Sequence, residues 1–81
     1  MAIFLVEREL AEAFDPTEEI VRAFDDYANA HDIAWLTSFL SADKKKTYCL
    51  YECDDIDMLR KHAADLGLPA NAITEVSEVQ R

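Results

Sequence analysis

Only four residues, DKKK at 43–46, separate two stretches dense in aromatic and aliphatic side chains, IAWLTSFLSA (33–42) and TYCLYEC (47–53). Both stretches suit strands, and a connection this short can join only antiparallel neighbours, because a parallel pair needs a crossover of a dozen residues or more. The centre of the chain is therefore a hairpin, and the rest must build around it. Ahead of it, AIFLVERE (2–9) is apolar and partly branched, as a strand is. DPTEEIVRAFDDYANAHD then opens with Asp15 as N-cap, Pro16 at the first helical position, and Glu18 and Glu19 in the first turn, a helix start favoured by capping and by the helix dipole. Ile20, Val21, Phe24, Tyr27, Ala28 and His31 recur at helical spacing along one side.

Behind the hairpin, DDIDMLRKHAADLG places acids at a second helix start and Gly67 at its end, with Ile56, Leu59, Ala63 and Leu66 as the apolar stripe. ITEVSEV (73–79) follows as an edge strand whose charges discourage further pairing. The order βαββαβ predicts an α+β, ferredoxin-like plait: a four-stranded antiparallel sheet in the order 4-1-3-2 with two helices on one face. The 81 residues form a single domain, 1–81, with no repeat and no linker rich in Pro, Gly or Ser.

The strands are apolar on both alternations, Phe4 and Val6 against Ile3 and Leu5, Trp35 and Phe39 against Leu36 and Leu40. A half-solvated antiparallel sheet alternates more cleanly, so the face without helices is expected to meet a second chain, in a homodimer packed sheet to sheet. Eight basic residues against seventeen acidic ones leave a net charge of −9, the wrong sign for nucleic acid or an anionic membrane surface. The apolar run before Glu7 is too short for a membrane span and has no basic flank, so a cytoplasmic chain is expected. In that compartment Cys49 and Cys53 remain free thiols. Within one strand they share a face about 13 Å apart at ~3.3 Å per residue, beyond disulfide reach and beyond sharing a metal ion.

The stretches FLVEREL, WLTS and YCLYE, the acidic helix start after it, His62 ten residues beyond Glu52, and GLP before ITEV resemble a bacterial family of small ferredoxin-like proteins that includes a nickel-binding member. The resemblance spans residues 3 to 79. It implies a cytoplasmic, dimeric ferredoxin-like domain with a site for nickel or another divalent transition metal. One departure bears on that implication: Glu7 and Arg8 stand where the nickel-binding member has a histidine-rich first strand, and this chain has only His31 and His62.

The residues themselves offer one constellation. The third strand runs back along the first, bringing Cys49 towards Glu7, and the second helix climbs about 12 Å from Asp54 to His62 at ~1.5 Å per residue. Glu7, Cys49 and His62 are expected to converge as one carboxylate, one thiolate and one imidazole, a donor set for a borderline transition ion. Tyr51 shares the Cys49 face and offers a hydroxyl to a ligand, whereas Glu52 points the other way. The lysine run reads as a solvated turn and Trp35 as packing. Without HExxH, GxSxG or a glycine-rich phosphate loop, the leading reading is a small binding protein for a transition metal or a compact ligand, more a binder than an enzyme. The alternatives are a cofactor-free enzyme of the dimeric α+β-barrel type, isomerase-like or monooxygenase-like, and a protein interaction module.

Overall fold

The computed structural model describes residues 2–80. Its elements are β1 (Ala2–Glu9), α1 (Glu18–Ala30), β2 (Ala34–Leu40), β3 (Lys46–Cys53), α2 (Ile56–Leu66) and β4 (Ala72–Val76). The sheet order is β2-β3-β1-β4 with every neighbouring pair antiparallel, so the βαββαβ plait read from the sequence is the fold. Both helices lie on one face: Ala28 of α1 and Leu59 of α2 join Phe4, Val6, Cys49, Tyr51 and Cys53 of the two central strands in one core.

The helix ends show why those segments are helical. Thr17, rather than Asp15, caps α1: its Oγ1 accepts from the Ile20 amide at 3.2 Å, and Glu18 and Glu19 occupy the first turn. A threonine directly before the two glutamates satisfies an orphan amide without displacing Pro16, and Asp15 is left to pair with Lys44. Asp55 caps α2 through the Asp57 amide, and Gly67 ends the helix at φ 67°, in left-handed backbone that a side chain resists.

Register decides which side chains meet. Directly opposed residues share a face in an antiparallel pair, and β1 sets Phe4 against Tyr51, Val6 against Cys49 and Arg8 against Thr47. These point to the helices. Ile3, Leu5 and Glu7 oppose Glu52, Leu50 and Tyr48 and point to the open face. On β2 a register shift between Trp35 and Thr37 breaks the simple alternation. Trp35 therefore faces the helices opposite Tyr51, whereas Phe39, four residues on, lies opposite Tyr48 and is 61% exposed.

Candidate functional site

Between the sheet and the helices lies a cavity of about 370 Å³, within the range of small-ligand sites. Its floor is made by β1 and β3, whose alternation delivers Arg8, Cys49 and Tyr51 to one place. α2 adds His62, one turn beyond Leu59, the residue that anchors the helix in the core. Phe14, Phe24 and Leu66 supply apolar walls, and Trp35 closes one side with its indole Nε1 donating to Ser38 Oγ at 2.7 Å. The cavity opens towards edge strand β2 and the start of α1, where Val21 and Leu40 line it and are themselves exposed.

The connection from β1 to α1 passes over this cavity, contributing Leu10, Phe14 and Pro16 to its lining. It is tied down by the hairpin. The amides of Leu10 and Phe14 donate to the Lys45 and Lys44 carbonyls at 2.7 and 2.8 Å, and Lys44 pairs with Asp15. The lysine run is thus the anchor of the segment that roofs the site as well as a turn in solvent.

Arg8 and His62 dominate the site's electrostatics, each only 4% exposed. No salt bridge to Arg8 exists among the described residues, and its Nε is buried without a hydrogen-bond partner. Its guanidinium carbon stands 5.7 Å from the centre of the Tyr51 ring. A cation over an aromatic face gains roughly 0.5–2 kcal/mol, whereas an uncompensated buried charge costs roughly 3–5 kcal/mol. The ring offsets only part of the cost.

His62 sits between the Tyr27 and Tyr51 rings, 5.2 and 6.0 Å away between centroids, and its Nδ1 is likewise buried with no partner. Burial first, and then the positive charge of Arg8, lower its proton affinity below the ordinary histidine value; Asp65 opposes them weakly. The ring is therefore neutral at neutral pH. Burial raises the Tyr51 pKa against the opposing pull of the Arg8 guanidinium beside it, so its hydroxyl keeps the proton. Cys53, fully buried, donates its Sγ–H to the Asp55 carbonyl at 3.4 Å, and desolvation pushes its thiol up. It packs; it does not react. Both cysteines are free.

Of the residues singled out in the sequence, Cys49, Tyr51 and His62 meet at this cavity. Glu7 does not meet them. Cys49 lies opposite Val6, and Glu7, one residue further along β1, lies opposite Tyr48 on the open face. The two are at the same level of the sheet but on opposite sides of it. Among the described residues no three of His, Cys, Asp and Glu are placed to hold a metal ion together. The residue the sequence reading missed is Arg8. Its parity with Phe4 and Val6 is readable in the strand, but only the structure shows that the helices cover that alternation.

With this geometry in hand, known proteins give a family and a fold. The family model for the nickel responsive protein SCO4226-like group matches residues 4–76. The chain belongs to the SCO4226-like family. No curated protein matches it. The crystal structure of SCO4226 from Streptomyces coelicolor A3(2) superposes with a TM-score of 0.73 at 16% identity, covering 98% of this chain and 100% of that one. A likeness at that identity is a likeness of fold. Nickel responsiveness is the family's description, and the donors of this SCO4226-like chain can be weighed against it. Cys49 and His62 are two of the ligand types nickel accepts, but the third expected donor faces away, and the permanent charge of Arg8 in the same cavity repels a cation. Within one chain the set does not fit a metal ion.

Proposed function

We propose that this member of the family is a small cytoplasmic binding protein that takes a compact, mostly apolar ligand into the cavity between sheet and helices. The observation that carries this reading is the pair of buried, unpartnered nitrogens, Arg8 Nε and His62 Nδ1, on two residues that line an otherwise apolar space. Buried polar groups are nearly always satisfied, and two orphans at one cavity are explained together by a ligand that pairs with them. Thermal melts test it. Phenylacetate, 3-phenylpropionate, octanoate or the corresponding amides, at about ten times their Kd, should raise the melting temperature on the order of 5 °C. Cys49→Leu, which fills the floor without touching Arg8 or His62, should abolish the rise. No shift with any of these probes would refute the reading.

We propose in addition that the open face is covered by a second copy of the chain. Ile3, Leu5 and Leu50 occupy its centre, and a domain this small gains appreciably from burying such a surface. A second reading of the cavity, a cofactor-free catalyst, draws on the neutral His62, whose unpartnered Nδ1 has the character of a base.

A further inference from the structure

We infer that the ligand is an anion, of the carboxylate class, whose charged group is received by Arg8 while its apolar body lies against Phe14, Phe24, Leu66 and Trp35. The inference rests on the cavity being a ligand site and says which chemistry that site selects. A guanidinium cannot be deprotonated in a protein, so Arg8 is charged whatever surrounds it, and at 4% exposure the residue is largely withdrawn from water, its Nε wholly so. The acidic residues nearest it along the chain lie elsewhere: Glu7 is on the other face, and Glu9, exposed, is paired with Lys46. In a chain with seventeen acidic side chains, leaving one buried arginine without a carboxylate reserves it for a carboxylate from outside.

The neighbouring groups match that partner. The Tyr51 hydroxyl keeps its proton and is a donor. His62, neutral, offers Nδ1–H in one of its tautomers. A planar carboxylate accepts from a guanidinium fork through two parallel hydrogen bonds and has acceptor capacity left for a third donor. A cation would meet Arg8 repulsively, and a neutral amide would leave the guanidinium charge uncompensated. The apolar walls limit the rest of the ligand to a short aliphatic chain or one ring, given the cavity of about 370 Å³.

The test uses Trp35, the single tryptophan, as reporter. Its fluorescence is followed while phenylacetate, phenylacetamide and 2-phenylethylammonium are titrated separately into the full chain. The acid should bind at least tenfold more tightly than the amide, and the ammonium should not bind. Arg8→Met should weaken the acid far more than the amide, bringing the two to within about twofold of each other. Because it removes an unpaired buried charge, this variant should melt no lower than the wild type, whereas an arginine serving only the fold would melt lower when replaced. Should Arg8→Met not fold, Arg8→Lys carries the test: it should weaken the acid several-fold, as the fork is lost, and spare the amide. An amide as tight as the acid would overturn the anionic class while leaving the cavity a binding site. Silence of all three probes would overturn both.

Discussion

The two faces of this sheet are built from the same strands and are nearly equal in apolar content, yet they differ in what they leave unsatisfied. On the open face, Ile3, Leu5 and Leu50 are flanked by Glu7 and Glu52, half-buried at most, so the carboxylates keep access to water. On the helix face, Phe4, Val6 and Tyr51 are flanked by Arg8 and His62, which are closed off from water and carry unpartnered nitrogens. Apolar surface alone asks only to be covered, which another protein surface can do. Buried polar groups without partners ask for specific chemistry, and the two faces are read accordingly: one as a place for a second copy, the other as a place for a ligand.

The largest expected effect separates the faces by mutation. Leu59→Ala removes a side chain that is 2% exposed and should cost about 2–5 kcal/mol of unfolding free energy, as cavity-forming substitutions do, without changing the molecular mass in solution. Leu5→Glu on the open face should do the reverse, converting a particle of twice the 9.2 kDa chain mass into one of the chain mass by light scattering. A wild type that already scatters as a single chain at micromolar concentration would remove the second copy from the account and leave the cavity untouched.

A smaller effect sharpens the helix face. The His62 pKa lies below its ordinary value of 6.5 because burial, and then Arg8, disfavour the imidazolium. The unfolded chain therefore takes up the proton first. Stability from this group is fully present above about pH 6.5 and is lost as pH falls below it, until the folded form also protonates. Wild type should lose more stability between pH 7.5 and 5 than His62→Gln does, in denaturant titrations at each pH. Parallel pH profiles for the two proteins would mean that His62 is not held neutral by its surroundings.

Much of this architecture was legible from local chemistry. The DKKK connection fixed the hairpin, Gly67 the end of the second helix, and the paired acids at 18 and 19 the start of the first. The site was legible in part, for a reason of parity. Cys49, Tyr51 and His62 were placed by strand alternation and helix rise, both of which the sequence carries. Glu7 was assigned by level along the sheet, and level does not say which face a residue takes; one residue of offset moved the assignment from Arg8 to Glu7. Because both alternations of β1 are apolar, nothing in the strand itself marked the face that the helices cover. The register shift at Trp35/Thr37 had no local signal either, and it is what sets Trp35 opposite Tyr51 while Phe39 pairs with Tyr48 at the exposed rim.

Where a ligand lands separates the two faces most directly. With ¹⁵N-labelled protein and phenylacetate, the Arg8 Nε–H resonance and the backbone amides of Arg8, Cys49, Tyr51 and His62 should shift together along one saturating curve, while those of Ile3, Leu5 and Leu50 move little. Shifts concentrated on Ile3, Leu5 and Leu50, with the Arg8 side chain unmoved, would contradict the cavity as the ligand's site.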